Sequence, residues 1–375
     1  MLSLEQYEYY KRQLSLSEVG LSGQTKLKNA RVLIIGMGGL GCPVSLYLSA
    51  AGIGILGLSD HDCVDISNLH RQVLYSTDEV GKPKVACAQR KLQALNPDIE
   101  INVHHEGLTV DNATTQINNY DIVVDCSDNF PTRYLISDTC VALKRPNVSG
   151  SVLRFEGQLG MFCGAHYPCL RCLYPTPPSG ELIPNCADAG VMGILPGIIG
   201  SLQANEVIKL ILGLKTHSPN ELICFNAINT TLDKFKIFKK PDCPVCGNSA
   251  KQPNKQDYRR NIRDDDYVIK KINVNLLKTM MLEKHDFFLL DVRSEAEQHI
   301  CQIPGSYLIP LHQLEERLAE VPQSKNTPVV VYCHHGKRSK EAAKILLQHG
   351  FTNAKFLQGG IDAWAICIDD KISTY

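Results

Sequence analysis

The sequence predicts an α/β protein of two domains, a larger nucleotide-binding domain followed by a smaller one. Apolar runs that end in glycine-rich or acidic segments alternate with helical patterns, as in parallel sheets covered on both faces. A chain of 375 residues is long enough for two cores. The stretch 247–266 is polar without an apolar period, which predicts a linker between domains at 1–246 and 267–375.

Composition narrows the class of protein. Hydrophobic residues make up 44% and charged residues 21%, as in ordinary soluble proteins. Lys plus Arg equals Asp plus Glu, at 39 each, which argues against a nucleic-acid partner. The first residues lack the apolar core of a secretory signal, so we expect a cytoplasmic protein. Fifteen cysteines then predict metal sites and reactive thiols rather than disulfides.

The first strand and the turn after it predict a phosphate-binding site. The apolar run 32–35 leads into Gly36-x-Gly38-x-x-Gly41, and a helix follows. Glycines allow close backbone approach to a phosphate, and the helix N-terminus supplies N–H groups. The stretch 32–59 has no charged residue and is long enough to cross a bilayer, but its glycines divide it into strand, turn, helix and strand. We therefore expect no membrane span.

The residues after the second strand point to ATP. The run 53–59 ends at Asp60, where dinucleotide folds place the residue that binds ribose. The cations Arg71 and Lys84 follow. A hydride-transfer enzyme does not need them, whereas an enzyme that acts on the phosphates must neutralise their charge.

A further strand, at 121–125, also ends in acidic residues. Asp128 is placed to hold Mg²⁺ at the edge of the sheet where such folds bind ligands. The alternative is that Asp128 or Asn129 caps the next helix.

Two C-x-x-C pairs predict a structural zinc site. They contribute four thiols: Cys169, Cys172, Cys243 and Cys246. Four thiolates complete a tetrahedral site and leave no position for a reactant. Between the pairs, Cys186 lies in a glycine-containing loop ahead of an apolar helix at 195–212, and both an inert and a nucleophilic role remain open for it.

The second domain contains a cysteine in a loop between a strand and a helix. Cys333 follows the apolar run 329–332 and precedes Gly336, Lys337 and Arg338. Loop N–H groups and a helix N-terminus favour the thiolate, so we predict a reactive cysteine. A phosphatase-like loop is the rival, but only four residues separate Cys333 from Arg338, one fewer than in the usual phosphatase loop.

Several motifs in order resemble known families. About the first 250 residues resemble the MoeB/ThiF-type, E1-like adenylyltransferases, through Arg12-Gln13, Gly36 to Gly41, Asp60-x-Asp62, Ser67 to Gln72, Lys84, Asp128-Asn129 and both cysteine pairs. About the last hundred resemble a rhodanese sulfurtransferase domain, through Asp291-Val-Arg293, Ile303-Pro-Gly305, Cys333 to Ser339 and Gln358-Gly-Gly360. The resemblance implies a Rossmann-like domain with a zinc site, followed by a smaller α/β rhodanese domain.

The resemblance also implies residue roles. The nucleotide would be ATP with Mg²⁺, bound by Gly39, Asp60, Ser67, Asn68, Leu69, His70, Arg71, Lys84, Asp128 and Asn129. Arg12 would reach the triphosphate from the other subunit of a homodimer. Arg12, Arg71, Lys84 and Asp128 would be catalytic in adenylation, and Cys333 in sulfur transfer.

The resemblance implies a substrate as well. The Gly-Gly end of a ubiquitin-like sulfur carrier, of the molybdopterin or thiamine type, would be adenylated. Cys333 would carry a persulfide from a cysteine desulfurase or from thiosulfate, and its sulfur would give a carrier thiocarboxylate. Cys186 matches a cysteine proposed in this family to form an acyl disulfide or thioester.

Two other readings of the whole chain stay open at this point. One is an NAD-dependent oxidoreductase with an appended thiol domain, which rests on the glycine turn and Asp60. The other is a non-catalytic scaffold for a ubiquitin-like protein. Neither gives a purpose to Arg71 and Lys84.

Overall fold

The computed structural model describes residues 2–163, 167–176, 190–214, 220–248, 269–322, 324–325, 327–369 and 371–372. It divides into two compact units, Met1–Asn261 and Ile262–Tyr375. Cys186 lies outside the described residues, and so does nearly all of the predicted linker, whose ends therefore stay a prediction.

The first unit is built on an eight-stranded sheet in the order β3-β2-β1-β4-β5-β6-β7-β8. Its strands are β1 Arg31–Ile35, β2 Ile55–Ser59, β3 Glu100–His104, β4 Ile122–Asp125, β5 Pro146–Leu153, β6 Glu156–Cys163, β7 Glu221–Asn226 and β8 Thr231–Lys236. The pairs from β3 to β5 are parallel, and those from β5 to β8 are antiparallel. The predicted parallel core is confirmed, and an antiparallel extension adjoins it.

Helices cover both faces of the parallel strands. They are α1 Leu4–Tyr9, α2 Lys11–Leu14, α3 Gly20–Asn29, α4 Gly41–Ala51, α5 Lys84–Leu95, α6 Ala113–Asn118, α7 Phe130–Leu143, α8 Leu170–Leu173 and α9 Ile194–Leu212. Val32 and Ile34 of β1 belong to one core, whereas Leu33 and Ile35 belong to another with residues of α6 and α7. Burial of successive side chains on opposite faces explains why this strand is apolar throughout.

Helix α9 is long and apolar enough to cross a membrane, judged by length and composition among the described helices. It packs against α4, β5 and β6, and it buries Leu195, Ile199 and Val207. A Cβ on Gly157 of β6 would lie 2.4 Å from Ile199, so the helix rests directly on the sheet. Packing on the sheet therefore accounts for its apolar character.

The second unit is a five-stranded parallel sheet in the order β11-β10-β12-β13-β9. Its elements are β9 Lys270–Ile272, α10 Val274–Leu282, β10 Phe288–Asp291, α11 Glu295–Ile300, β11 Tyr307–Leu308, β12 Val329–Tyr332, α12 Lys337–Gln348, β13 Ala354–Leu357 and α13 Gly360–Cys367. Val329 and Val331 of β12 face the core that includes α12, and Val330 and Tyr332 face the core that includes α10 and α13.

Candidate functional site

A cavity lies at the carboxyl ends of β1, β2 and β4, where open α/β sheets bind ligands. The turn after β1 forms its floor. Gly36 has a φ of +92°, and a Cβ there would lie 2.7 Å from the carbonyl oxygen of Cys126, so only glycine fits. Gly38 and Gly39 line the cavity, and helix α4 begins at Gly41. The predicted phosphate-binding turn thus opens onto a cavity.

Asp60 follows β2 and lines this cavity. One carboxylate oxygen accepts the N–H of Met37 at 2.7 Å, and the other accepts the N–H of Asp62 at 2.8 Å. These bonds tie the end of β2 to the glycine turn. Each oxygen keeps a second lone pair, which suits an acceptor for ribose hydroxyls.

Arg71 also lines the cavity, held by the segment that precedes it. Its guanidinium donates to the Asn68 side chain and, at 3.3 Å, to the carbonyl of Ser67. Ser67, Asn68, Leu69 and His70 form a short turn capped by Asp65 and do not themselves line the cavity. The structure therefore brings Arg71 to the site and places those four residues behind it.

Lys84 begins helix α5 and is buried, with its ammonium 2.8 Å from Asp62. Burial acts to lower the pKa of Lys84, but the carboxylates of Asp60 and Asp62 outweigh it and raise that pKa. A permanent cation thus lines the cavity. The ion pair with Asp62 was not anticipated from the sequence, although Asp62 is only two residues beyond Asp60.

Asp128 and Asn129, the two candidate site residues that follow β4, have different surroundings. Asn129 caps α7, since its side-chain oxygen accepts the N–H of Thr132 at 2.9 Å. Asp128 is exposed and lines the cavity, and its charge contributes to the raised pKa of Lys84. The capping alternative is therefore correct for Asn129, while Asp128 stays available to a ligand.

Sequence reasoning missed other residues that line the cavity: Gln72, Thr132, Val152, Val191 and Pro196. Gln72 is 4% exposed, and its side-chain oxygen has no hydrogen-bond partner among the described residues. A buried acceptor of this kind is costly unless a ligand or water donates to it. The signal for it in the sequence was its place at the end of the Ser67 to Gln72 motif, next to Arg71.

The two remaining predicted residues are Arg12 and Cys186. Arg12 lies exposed on α2 and does not line the cavity. Cys186 lies outside the described residues. The roles predicted for both stay predictions.

The four predicted zinc ligands form a buried cluster. The sulfurs of Cys169 and Cys243 lie 3.5 Å apart, and those of Cys172 and Cys246 lie 3.4 Å apart. A disulfide needs about 2.05 Å, whereas zinc bonds of about 2.3 Å in a tetrahedron put sulfurs about 3.8 Å apart. Burial, then the Cys172 side chain, raises the pKa of Cys246 to about 12, so four ionised thiols need a cation among them. The donor set fits a metal ion such as zinc.

The cysteine cluster is joined to the helix that leads to the nucleotide cavity. Arg171, between two of the cysteines, donates hydrogen bonds to the buried Asp138 of α7 at 3.1, 2.9 and 2.8 Å. The N–H of Leu170 donates to Ser137 of the same helix at 3.2 Å. The first cysteine pair is thus fixed on α7.

The second unit presents Cys333 at the end of β12. The thiol is 1% exposed and accepts the N–H of Gly336 at 3.1 Å. Ser339, in the first turn of α12, lies 3.6 Å from the sulfur. Gly336 has a φ of +101°, which turns the loop around the sulfur. The sulfur therefore accepts one backbone N–H and lies beside Ser339 Oγ, whose own O–H donates to the carbonyl of Gly336 at 3.1 Å. The reactive role of Cys333 stays a prediction.

The positive charge of Arg338 is compensated by a carboxylate. Its guanidinium donates to both carboxylate oxygens of Glu297 on α11, at 2.7 and 2.6 Å. Glu297 also accepts the N–H of Ser294 in a capping box. The buried pair Asp291–Arg293 supports the same helix, because Arg293 donates to the carbonyl of Cys301 at 2.7 Å. Arg338 thus anchors the loop to α11.

A nucleotide cavity in one unit and a cysteine loop in the other define a nucleotide-using enzyme with a sulfur-handling domain, and comparisons with known proteins agree. Residues 10–245 match the ThiF family, and residues 273–367 match the rhodanese-like domain. "Adenylyltransferase and sulfurtransferase MOCS3" of Aedes aegypti is 41% identical over 385 residues, covering 98% of this chain and 88% of that protein. The Xenopus laevis protein of that name is 41% identical over 400 residues, with the same coverages of 98% and 88%.

A crystal structure of E. coli MccB with ATP resembles the chain with a TM-score of 0.53 and 28% identity, over 60% of this chain and 68% of that one. The chain belongs to the ThiF family and carries a C-terminal rhodanese-like domain. The prediction of an enzyme that is both an adenylyltransferase and a sulfurtransferase is confirmed, and the NAD-dependent alternative is not favoured.

Proposed function

We propose that the first unit uses ATP to adenylate the C-terminal glycine of a ubiquitin-like sulfur carrier, and that the second unit supplies sulfur from a persulfide on Cys333. The cavity carries the first half of the proposal. Arg71, Lys84, Asp60 and Asp128 reach it from separate segments and surround a glycine turn. Cations and carboxylates in this arrangement suit a nucleotide whose phosphates react.

The nucleotide-binding roles follow from these positions. Asp60 accepts the ribose hydroxyls, and Gly39 lies under the phosphates. Arg71 and Lys84 neutralise the triphosphate. Ser67 and Asn68 hold Arg71 in place through hydrogen bonds, and Leu69 and His70 belong to the same short turn. Asp128 would hold Mg²⁺, which would offset phosphate charge when bound, and Asn129 lines the cavity next to it.

Arg12 completes the proposed site from a second subunit. It is exposed on α2 and does not line the cavity of its own chain, which leaves it available to another copy. We therefore propose a homodimer in which each Arg12 reaches the triphosphate of its partner's site.

Adenylation requires no nucleophilic side chain. The carrier's terminal carboxylate attacks the α-phosphorus of ATP, the α–β bridge bond breaks, and pyrophosphate leaves. Lys84 and Arg71 stabilise the negative charge that develops on the phosphates. Positioning and charge neutralisation thus supply the catalysis.

Sulfur transfer begins at the loop around Cys333. Its thiolate takes sulfane sulfur from a cysteine desulfurase persulfide or from thiosulfate. The terminal persulfide sulfur then attacks the carrier's acyl-adenylate, and AMP leaves. A second thiol, for which Cys186 is the candidate, attacks the Cys333 sulfur of the resulting acyl disulfide, and the thiocarboxylate leaves with the electron pair. The disulfide that this exchange leaves on Cys333 is then reduced by an external thiol. The carrier would be of the molybdopterin or thiamine type. We propose that the enzyme acts in the cytoplasm and binds neither a membrane nor a nucleic acid.

A carrier-dependent exchange assay tests the adenylation step. Labelled pyrophosphate should enter ATP only when a carrier ending in Gly-Gly is present. With a sulfur donor added, the mass of the true carrier should rise by the replacement of OH by SH. Tight NAD binding without exchange would contradict the proposal.

We also propose one structural Zn²⁺ per chain, held by Cys169, Cys172, Cys243 and Cys246. Elemental analysis of the purified protein should find about one zinc per chain. Changing Cys172 and Cys246 to serine should remove it and lower the melting temperature. The matched pair Cys63→Ser and Cys367→Ser, both exposed thiols, should retain it. A stable, fully active chain without metal would exclude the structural role.

A further inference from the structure

Tyr75 carries a buried phenol that the proposed reaction does not use. The residue is 7% exposed and does not line the nucleotide cavity. Its hydroxyl donates to the carbonyl oxygen of Met37 at 2.9 Å. Met37 belongs to the glycine turn after β1, so a buried hydroxyl contacts the backbone of the predicted phosphate-binding turn.

Tyr75 is held in place by its own segment and by α5. It lies four residues after Arg71, and its N–H donates to the carbonyl of Gln72 at 3.0 Å. The ammonium of Lys91 on α5 donates to the carbonyl of Leu74 at 2.7 Å. The backbone is thus fixed on the N-terminal side of Tyr75, and its hydroxyl meets the glycine turn at a defined position.

The contact with Tyr75 sets the direction of one peptide unit in the turn. The peptide bond between Met37 and Gly38 is trans. In a planar trans peptide, the C=O and N–H bonds point in opposite directions. Because the carbonyl of Met37 points to Tyr75, the N–H of Gly38 points away from Tyr75. The preceding N–H, that of Met37, is already bound to Asp60 at 2.7 Å.

The N–H of Gly38 is available to a ligand. Gly38 and Gly39 line the cavity, and neither N–H has an acceptor among the residues that the structure describes. By contrast, the N–H of Gly36 donates to the carbonyl of Ser59 at 2.9 Å. Backbone N–H groups just ahead of a helix are suited to bind phosphate oxygens.

We propose that Tyr75 is a positioning residue for the nucleotide, because its hydroxyl directs the N–H of Gly38 to a phosphate oxygen of ATP. This inference rests on the proposed function, since it requires that the phosphates lie over the glycine turn. The group recognised is a phosphate, so the ribose and the base do not depend on Tyr75.

The phenol suits this role because it stays a donor. Burial, ahead of the nearby Cys42, raises the pKa of Tyr75 well above its usual range, so the O–H is kept at neutral pH. The carbonyl of Met37 has one other side-chain contact, the sulfur of Cys42 at 3.9 Å, and a thiol is a weak donor. Without the phenol O–H, this buried carbonyl loses its main partner and the peptide unit is no longer held in one orientation.

The test compares ATP with adenosine in Tyr75→Phe, which removes one hydroxyl and keeps the ring. Carrier-dependent pyrophosphate exchange into ATP is measured on the full-length protein, with adenosine as a competitive inhibitor. We expect KM for ATP to rise about tenfold with kcat nearly unchanged, because a contact made equally in the ground state and the transition state is weakened. The Ki of adenosine should stay the same, since adenosine has no phosphate.

Tyr120 offers a matched control in the same unit. It is 2% exposed, and its hydroxyl lies 3.0 Å from Nε2 of His104. Neither of these residues lines the cavity. Tyr120→Phe therefore also removes a buried hydroxyl, and it should leave both KM for ATP and Ki for adenosine unchanged. Thermal unfolding of the two variants shows whether their folds are equally intact.

The outcomes separate this inference from the proposed function. An unchanged KM for ATP in Tyr75→Phe overturns the role of Tyr75. Equal weakening of ATP and adenosine overturns it too, because the whole cavity would then have loosened. In both cases, exchange by the unaltered chain leaves the proposed function standing. If the unaltered chain catalyses no carrier-dependent exchange, the proposed function fails and this inference fails with it.

Discussion

The two units place positive charge at their sites in different ways. In the first, Lys84 and Arg71 line an open cavity, held by Asp62 and Asn68. In the second, Arg338 is paired with Glu297, and the thiol of Cys333 contacts a backbone N–H instead. The nucleotide site is assembled from side chains of several strand ends, whereas the sulfur site is formed by one loop. Loss of a side chain should therefore weaken the first, and loss of loop geometry should weaken the second.

The largest expected effect isolates the sulfur site. Cys333→Ala should reduce sulfur transfer by about 10³-fold or more, because the acceptor atom is gone. Pyrophosphate exchange should not change. Sulfur transfer to cyanide and pyrophosphate exchange into ATP are measured on the same preparation. The control is Cys367→Ala, which removes an exposed thiol of the same unit. A parallel fall in exchange would show that the two sites are not separable.

The next effect concerns the nucleotide site. Lys84→Ala should lower carrier-dependent pyrophosphate exchange about 10²-fold, since a buried cation that faces the phosphates is lost and Asp62 is left without its partner. Lys82→Ala, an exposed lysine two residues away, is the matched control. Equal activities of the two variants would remove Lys84 from the catalytic set.

A smaller effect tests the anchor of the cysteine loop. Glu297→Gln should lower sulfur transfer about tenfold and destabilise the second unit by about 1 kcal/mol, because it weakens the ion pair with Arg338. Glu295→Gln, on the same helix and exposed, serves as the control. Sulfur-transfer rates and thermal unfolding are measured for both variants. If Glu297→Gln and Glu295→Gln behaved alike in both measurements, the anchoring role would be contradicted.

The same carboxylate gives a pH dependence. The hydrogen bonds from Arg338 hold the pKa of Glu297 well below its usual range. The native state therefore binds fewer protons than the unfolded state, so the stabilisation is present above about pH 5 and is lost as the pH falls below about 4.3. Below about pH 4.3, the unfolding free energy should therefore fall less steeply with falling pH in Glu297→Gln than in the unaltered chain.

The smallest expected effect concerns Gln72. Gln72 lines the nucleotide cavity, and its buried side-chain oxygen lacks a partner among the described residues. Gln72→Met should weaken ATP binding about fivefold if a ligand or a ligand-bound water donates to that oxygen. Calorimetric titration with ATP measures the change. If Gln72→Met bound ATP as tightly as the unaltered chain and melted at a higher temperature, the buried oxygen would only destabilise the fold and would have no role in binding.

Much of this protein was determined by its sequence. The glycine turn, the acidic strand ends, the cysteine pairs and the Cys333 loop are local patterns, each fixed by residue type and spacing. The predicted apolar helix at 195–212 begins at Ile194, within one residue of expectation. Local patterns suffice because glycine conformation, strand burial and helix period act over a few residues.

Only the tertiary structure decided which side chains are partners. Lys84 meets Asp62 across 22 residues, and Arg338 meets Glu297 across 41 residues. Asn129, rather than Asp128, became the helix cap, and Gln72 proved to be buried in the cavity. Such pairings depend on how strands and helices pack, and packing brings together residues that no local spacing relates.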